Sequence, residues 1–245
     1  ATMKAARIAG FKQCELLQEP IAACMAYGLS SEKKDGKWLV FDFGGGTFDA
    51  ALVKVEDGIL TVFDTEGDNY LGGKNLDEAV VNKILMPSLK EDYALSSYET
   101  TEWKKKALID ALKGPAEEMR IALSFADSAD YSTYDRNLNL GQDDNGEEID
   151  LEITITKDQL IDAIGEQYKK AVGICKKLLE RNGLTGKDLS SLILVGGPTY
   201  SPIIRDMLKA EITPNVDTSI NPMTAVARGA ALYASTIDAN INEAE

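Results

Sequence analysis

The chain of 245 residues is long enough for a substantial core and for two lobes or subdomains. Its formal net charge of −14 argues against nucleic-acid or membrane-surface partners, which need a basic surface, and no apolar run approaches the roughly 18 residues of a membrane span. The chain has no histidine, which excludes Ser-His-Asp and Cys-His catalysis and any histidine metal site.

The N-terminal part is predicted to contain two helices and a short strand. Residues 1–8 are typical of the end of a helix, and residues 11–18 are predicted to form a short strand. A second helix is predicted at 19–28, because Pro20 is well tolerated in a first turn. The stretch SSEKKDGK at 30–37 is predicted to be a polar loop.

Three β-strands follow, joined by glycine-containing turns. Residues 38–43 and 48–55 are apolar and β-branched, and an Asp-Gly pair at 57–58 leads through a type I′ turn to a third strand at 59–65. This order predicts an antiparallel meander. It excludes a Walker-type loop, which would run from a strand into a helix and end in Gly-Lys-Ser/Thr.

Helical patterns follow the meander. Residues 71–89 are predicted to form an amphipathic helix that Pro87 ends. Two further helices are predicted at 103–112 and 116–125, separated by the Gly-Pro pair at 114–115.

A second hairpin and a long helix come next. Residues 131–140 and 148–155 are predicted to pair around the turn QDDNGE. A long helix is predicted at 156–181, and a buried strand at 191–195 then runs through a glycine turn into a helix from about Ser201.

The last predicted element is a helix of small residues at 221–236, with a proline near its start. The polar, acidic stretch at 238–245 is predicted to begin a linker. The chain also opens inside a helical pattern with no initiator methionine, so we expect it to be a piece of a longer protein.

The three cysteines, Cys14, Cys24 and Cys175, lack the spacing of a zinc site. Cys14 and Cys175 lie in apolar-periodic stretches, which favours buried structural thiols over reactive ones. Free thiols are typical of a reducing compartment, and we expect a cytoplasmic protein.

Three glycine clusters lie at 44–46, 72–73 and 196–197. Each alone has an ordinary explanation: a tight hairpin with a bulge, a turn before a helix, or a strand-to-helix turn. Their occurrence together, in this order, favours a phosphate site, because glycine lets main-chain N–H groups approach phosphate oxygens.

Two aspartates, Asp42 and Asp49, flank the first cluster, and Thr47 adds a hydroxyl donor. The aspartates can supply oxygen ligands to a hard cation such as Mg²⁺ that bridges phosphates. The alternative is capping of the hairpin by Asx bonds, which explains one aspartate better than two.

Five motifs occur in order: DFGGGTFD at 42–49, LGGKNLD at 71–77, EEMRIALS at 117–124, LVGGPT at 194–199 and INPMTAVARGAA at 220–231. Together with AARIAGF and QEPIAACMAYGL before them, they resemble the nucleotide-binding domain of the seventy-kilodalton heat-shock chaperones (the DnaK type). That family belongs to the actin/hexokinase-like ATPase group. The resemblance runs over nearly the whole chain, to about Ile237.

The resemblance implies an α/β fold: the C-terminal, ribonuclease-H-like lobe of an actin-like ATPase, with a mixed sheet and an inserted α+β subdomain. The core lobe would comprise residues 1–69 and 156–237, the inserted subdomain residues 70–155, and the interdomain linker would start at 238–245. The predicted order of the elements agrees with this division.

The resemblance also implies a site for ATP or ADP with Mg²⁺ and potassium ions. Asp42 and Asp49 would organise the metal ions and the attacking water, and Glu19 would lie near that water. The alternative for Glu19 is a favourable charge at a helix N-terminus. The β- and γ-phosphates would be held by Gly44, Gly45, Gly46 and Thr47.

Further roles concern the rest of the nucleotide. The backbones of Gly73, Gly196 and Gly197 would approach it. The adenosine would be held by three residues on one face of a helix, Glu117, Arg120 and Ser124. Ile121 would pack against the adenine. These three residues share one helix face by their spacing, and the alternative for them is a solvated face.

Three residues of the implied site depart from the family pattern. Pro198 and Tyr200 follow Gly197 where the family has a small polar residue, then Thr-Arg, and Met223 replaces an acidic residue. The usual arginine lies against the adenine; a tyrosine can stack there but brings no charge. These departures indicate a divergent member.

In the whole protein, ATP binding and hydrolysis would drive capture and release of unfolded polypeptides by a domain that this chain lacks. A J-domain co-chaperone and a nucleotide-exchange factor would be further partners, the latter on the inserted subdomain. The preceding lobe would supply the other side of the phosphate site, so we expect this piece alone to hydrolyse little or nothing. Two alternatives stay open: another actin-like ATPase, such as a filament protein or a sugar kinase, and a divergent co-chaperone or exchange-type relative that does not hydrolyse ATP.

Overall fold

A computed structural model describes residues 1–29 and 35–242, with side chains described as far as Ile237. The helices are α1 (Thr2–Ile8), α2 (Glu19–Ala26), α3 (Gly73–Val80), α4 (Met86–Asp92), α5 (Ser96–Thr100), α6 (Glu102–Ala122), α7 (Lys157–Arg181), α8 (Pro202–Glu211) and α9 (Ala225–Asn242). The strands are β1 (Gly36–Phe43), β2 (Phe48–Glu56), β3 (Ile59–Asp68), β4 (Ser128–Ser132), β5 (Glu152–Thr156), β6 (Ser191–Val195) and β7 (Val216–Asp217).

The larger sheet is mixed and has the strand order β3-β2-β1-β6-β7. β1, β2 and β3 pair antiparallel, whereas β6 pairs parallel with both β1 and β7. The predicted meander is therefore confirmed. Asp57 (φ 50°) and Gly58 (φ 76°) both have positive φ in the β2–β3 turn, as a type I′ turn requires.

The two faces of the larger sheet are covered by different helices, because successive side chains of a strand point to opposite faces. Leu39, Phe41 and Phe43 of β1 belong to a core that continues into α7, and β2 and β3 contact that helix. Trp38 and Val40 belong to a second core, which includes residues of α2 and α9. By the same alternation, Asp42 faces the side of α2 and α9.

Helices α3 to α6 and the antiparallel pair β4–β5 form the other part of the molecule. Its apolar side chains join the core on the α7 side of the large sheet, so Leu112 and Met119 of α6 lie in the same buried cluster as Phe41. The predicted α/β fold with a mixed sheet is confirmed.

The strand predicted at 11–18 is wrong. This segment has no regular secondary structure and pairs with none of the described strands, and its Phe11 and Leu16 side chains are exposed. Its apolar positions do not alternate, so they give no continuous face to bury in a sheet. The segment is tied instead to α9, where the Tyr233 hydroxyl donates to Glu15 Oε2 at 2.8 Å.

Neither proline ends a helix as predicted. A π-helical turn, Val81–Leu85, joins α3 directly to α4, and Pro87 lies in the first turn of α4, where proline is tolerated. α6 is one helix through Pro115. Burial of Leu108, Leu112 and Met119 on one face of α6 offsets the roughly 3 kcal/mol that an interior proline costs.

The second hairpin exists, but its strands lie elsewhere than predicted: of residues 131–140 only 131–132 belong to β4, and of residues 148–155 only 152–155 belong to β5. β4 and β5 are five residues each, and the residues between them form a loop with one isolated bridge, Gln142–Glu148. Asp143 organises this loop, because its Oδ1 accepts hydrogen bonds from the N–H groups of Asn145 and Glu147. Side-chain capping replaces the strand ladder there.

The remaining predictions concern a loop and the thiols. Most of the loop predicted at 30–37 lies outside the described residues, and Gly36 already belongs to β1. Cys24 and Cys175 are buried, and burial raises the pKa of both thiols, that of Cys24 to about 12. Cys14 is half-buried rather than buried. None of the helices in the described part of the chain is both long and apolar enough to cross a bilayer.

Candidate functional site

The β1–β2 hairpin brings two carboxylates together. Asp42 and Asp49 are direct cross-strand partners, one pair before the turn that contains the three glycines. The Gly44 N–H donates to the Thr47 carbonyl at 2.9 Å and closes this turn. Because the partners share a face, both carboxylates lie on the side of the sheet that α2 covers.

The field at these carboxylates is negative. Burial, then the charge of Glu19 at the start of α2, then that of Asp49, raises the pKa of Asp42 to about 6. Burial also raises the pKa of Asp49. A cation bound between these groups would reverse both shifts, because opposite charge stabilises the ionised form.

The second glycine cluster packs directly on the first. The N–H groups of Gly73 and Lys74 donate to the carbonyls of Gly44 and Gly45, both at 2.9 Å. A Cβ added at Gly72 would lie 2.5 Å from the Gly46 nitrogen and Cα, so a side chain cannot be accommodated there. The start of α3 is thereby fixed against the hairpin turn.

The third cluster also packs on this hairpin, at the end of β1. Gly196, just after β6, has φ +92°, and a Cβ there would lie 2.1 Å from the Phe43 carbonyl oxygen. Its N–H donates to the Pro222 carbonyl at 3.0 Å, which holds the turn before α9 nearby. All three predicted glycine clusters therefore converge.

Gly45 and Gly46 differ from these glycines. Neither has a positive φ, and a Cβ at either would meet no heavy atom within 4 Å. Packing within the chain therefore does not require bare backbone at these two positions. The open space beside their main chain is where a ligand atom can approach.

A cavity of about 460 Å³ opens between the glycine turns and the end of α6, within the size range of small-molecule sites. It is lined by Gly45, Gly73, Lys74, Asp77, Glu117, Arg120, Ile121, Ser124, Phe125, Gly197, Pro198, Tyr200, Ser201 and Met223.

A buried ion pair forms the floor of this cavity. Arg120 Nε donates to Asp77 Oδ1 at 2.8 Å, and both side chains are almost fully buried. Arg120 also lies 3.8 Å from Glu117 Oε1. The guanidinium is therefore held in place by a carboxylate of α3 and keeps part of its surface toward the cavity.

The turn after β6 is held by two polar side chains. The buried Tyr168 hydroxyl donates to the Pro198 carbonyl at 3.2 Å, and Arg205 Nε donates to the Thr199 carbonyl at 2.7 Å. The Arg205 guanidinium lies 5.7 Å from the centre of the Tyr200 ring and makes a cation–π contact with it.

Apolar side chains surround the outer end of the cavity. Ile121 is 49%, Met223 70% and Phe125 79% exposed, although each is large and apolar. The Ser124 hydroxyl donates to the Arg120 carbonyl at 3.2 Å. A flat, apolar ligand group would bury these surfaces.

The predicted residues fall into three groups. Most residues predicted for the nucleotide line the cavity. Gly44, Gly46, Thr47 and Gly196 do not line it but belong to the turns beside it. Asp42 and Asp49 are paired on the α2 side of the hairpin, near enough to Glu19 for its charge to affect Asp42.

Sequence reasoning missed four lining residues: Lys74, Asp77, Phe125 and Ser201. Asp77 follows Gly73 at i+4, a helical spacing that could have indicated it, and Lys74 directly adjoins Gly73. Phe125 and Ser201 adjoin predicted residues but have no signal of their own.

The donors near the hairpin suit a hard cation only in part. Asp42 and Asp49 offer carboxylate oxygens, as Mg²⁺ prefers. Within residues 1–29 and 35–242, however, no three Asp, Glu or Cys side chains come close enough to form a complete metal site. Ligand phosphates and water would have to supply the other positions.

The mixed α/β fold is that of an actin-like ATPase domain. The Hsp70 protein family model matches residues 1–245. The Chaperone protein DnaK of Nitrosopumilus maritimus (strain SCM1) is 32% identical over 244 residues, which is 98% of this chain and 36% of that protein. The chain belongs to the Hsp70 family and corresponds to part of the ATPase domain of a DnaK-like chaperone, spanning about a third of that relative's length.

Proposed function

We propose that this chain forms one side of an ATP/ADP site, with the phosphates over the hairpin turn and the nucleoside in the cavity. The observation that supports this most is the convergence of three glycine turns around the open backbone of Gly45 and Gly46. Their N–H groups, with the Thr47 hydroxyl, would receive the β- and γ-phosphates. The N–H groups of Gly44, Gly73 and Gly196 already donate to carbonyls of the chain, so Gly44 would shape the phosphate turn, and Gly73, Gly196 and Gly197 would let the nucleotide approach their bare backbone.

Asp42 and Asp49 would hold Mg²⁺ through oxygen or water, with potassium ions as further counter-charge. When bound, the metal supplies charge neutralisation of the phosphates. The raised pKa of Asp42 supports this role, because the group is poised to gain from an added cation. Glu19, which contributes to that field, would orient the attacking water.

The nucleoside would lie against α6. Glu117 and Arg120 would bind the ribose, with Ser124 completing the helical stripe. Ile121 and Tyr200 would pack on the base, and Pro198 and Met223 would border it. Tyr200 and Arg205 together would take the place that the family gives to an arginine.

We propose that residues 1–69 and 156–237 form the core lobe, residues 70–155 the inserted subdomain, and 238–245 the start of a linker. In the whole protein, ATP hydrolysis would drive capture and release of unfolded polypeptides in the cytoplasm. A J-domain co-chaperone and a nucleotide-exchange factor would assist, the latter on the inserted subdomain. This chain alone would hydrolyse little or nothing, because charge is placed on only one side of the phosphates.

Calorimetric titration with Mg²⁺-ADP tests the proposal. We expect weak binding by this chain, loss of binding in an Asp42→Asn, Asp49→Asn variant, and no change in Asp92→Asn, which alters an exposed carboxylate outside the site. A longer version with a preceding lobe should bind more tightly. Absence of binding by that longer version would overturn the proposal.

A second candidate is a relative that binds partners without hydrolysis, favoured by Tyr200 and Met223 where the family has charged residues. The two candidates differ in one measurement, which is steady-state ATP hydrolysis by the whole protein. Hydrolysis that depends on Asp42 and Asp49 would exclude the second candidate.

A further inference from the structure

Lys74 is a cation at the edge of the cavity that sequence motifs did not indicate. It is the second residue of α3, and its main-chain N–H donates to the Gly45 carbonyl at 2.9 Å. Its backbone is therefore fixed beside the hairpin turn. The side chain is exposed and lines the cavity.

The two cations that line the cavity differ in their partners. Arg120 is nearly buried and its charge is compensated by Asp77 at 2.8 Å. In the part of the chain that the structure describes, lysine ion pairs form at Lys54, Lys90, Lys113, Lys169, Lys170 and Lys176, and none forms at Lys74. The ammonium of Lys74 is thus available to an anion.

The positive charge of Lys74 matters because most of the ionised side chains around the cavity are acidic. Asp77 and Glu117 line the same cavity, and Glu19, Asp42 and Asp49 lie across the hairpin. These carboxylates would repel a nucleotide phosphate. A lysine stem reaches several ångströms from its Cα, so an ammonium anchored beside Gly45 can reach a group over the open backbone of Gly45 and Gly46.

We propose that Lys74 is a phosphate-contacting residue that makes this site favour nucleotides over nucleosides. The inference rests on the proposed function. The Lys74 ammonium donates to an oxygen of the di- or triphosphate, on the cavity side of the hairpin turn. It adds positive charge from this side of the cleft, independently of any metal.

Nuclear magnetic resonance titrations of the unmodified chain and its variants, with ADP and with adenosine, test this inference. Lys74→Met removes the charge and keeps much of the stem. We expect it to weaken ADP binding about tenfold and to leave adenosine binding within about twofold, because a charge-assisted hydrogen bond to phosphate is lost. Lys74→Arg should keep ADP binding within about threefold, since the charge remains.

Lys106→Met is the matched control, because Lys106 is an exposed lysine of α6 outside the cavity, and it should change neither titration. Equal weakening of ADP and adenosine binding by Lys74→Met would overturn the inference, as would unchanged ADP binding. Both outcomes leave the proposed function standing. Failure of the unmodified chain to bind ADP, even at millimolar concentration, would overturn this inference, whereas failure of the longer version with a preceding lobe would overturn the proposed function.

Discussion

Asp42 and Asp49 face each other across β1 and β2 one pair before a glycine turn, and burial raises the pKa of both. Two adjacent carboxylates with raised pKa values destabilise the fold when both are ionised. A bound cation would compensate this charge. The pair therefore links the stability of the chain to its proposed cation and nucleotide site.

Asp42→Asn should stabilise the unliganded chain. The folded-state pKa of Asp42, about 6, lies above the value of 3.8 for an unperturbed aspartate, so the folded state binds more protons than the unfolded state between these values. The contribution of Asp42 to the free energy of unfolding therefore falls as pH rises from about 4 to about 6, and it stays low at higher pH. At pH 7.5 we expect Asp42→Asn to raise the free energy of unfolding by about 1–3 kcal/mol, measured by urea denaturation.

The same comparison at pH 4 is the internal control, since Asp42 is then largely protonated and the gain should nearly vanish. Asp92→Asn should have little effect at either pH. A loss of stability in Asp42→Asn at pH 7.5 would show that the Asp42 carboxylate makes a stabilising contact that outweighs its burial.

Affinity for Mg²⁺-ADP should depend on pH through the same group. Metal binding requires the carboxylate, and with a pKa of about 6 the ionised fraction rises roughly tenfold between pH 5 and pH 7. We expect the dissociation constant to fall by about that factor over this range. Titration calorimetry at both pH values measures it, and a pH-independent affinity would contradict a role of Asp42 in metal binding.

The glycines should separate into those needed for folding and those needed for the ligand. Gly196→Ala places a Cβ 2.1 Å from the Phe43 carbonyl at φ +92°, and we expect it to cost about 3 kcal/mol or more, or to prevent folding. Gly45→Ala meets no atom within 4 Å and should change stability by less than about 1 kcal/mol. Thermal denaturation of the two variants measures the difference.

Gly45→Ala should nevertheless weaken nucleotide binding, because its Cβ would enter the space beside the backbone donors. ADP titration of this folded variant measures that effect separately from stability. Unchanged affinity would place the phosphates away from the hairpin turn.

Local signals explain which elements could be predicted. The meander follows from apolar, β-branched runs on either side of glycine-containing turns, the second of which is a positive-φ Asp-Gly turn. The start of α7 follows from Thr156, whose N–H and hydroxyl meet Gln159 in a capping box. The glycine clusters could be placed together because their order matches the family's motifs. The distances between the clusters could not be predicted, because they depend on how β6 pairs with β1.

The errors came from tertiary packing. Pro115 stays inside α6 because Leu112 and Met119 anchor the helix on both sides of it, and no local rule indicates that burial. The segment 11–18 contains apolar residues yet has no strand partner. Lys74 and Phe125 line the site because α3 and α6 pack around the same cavity, which the sequence does not indicate.

The Arg120–Asp77 pair should be worth far more to the chain than any surface ion pair. Both side chains are about a tenth exposed or less, so removing one partner leaves a buried charge without compensation. We expect Arg120→Met to lower the free energy of unfolding by about 3–5 kcal/mol, as estimated for broken buried pairs. Urea denaturation measures the loss.

A double-mutant cycle separates this electrostatic effect from lost packing. The variant Arg120→Met, Asp77→Leu removes both charges, and we expect it to recover much of the stability that Arg120→Met loses. Breaking the exposed pair Lys90–Glu99 by Lys90→Met should change stability by less than about 1 kcal/mol. If the double variant were as unstable as the sum of the single variants, packing rather than charge pairing would hold α3 against α6. Packing of the two side chains would then contribute more to stability at the cavity floor than their opposite charges do.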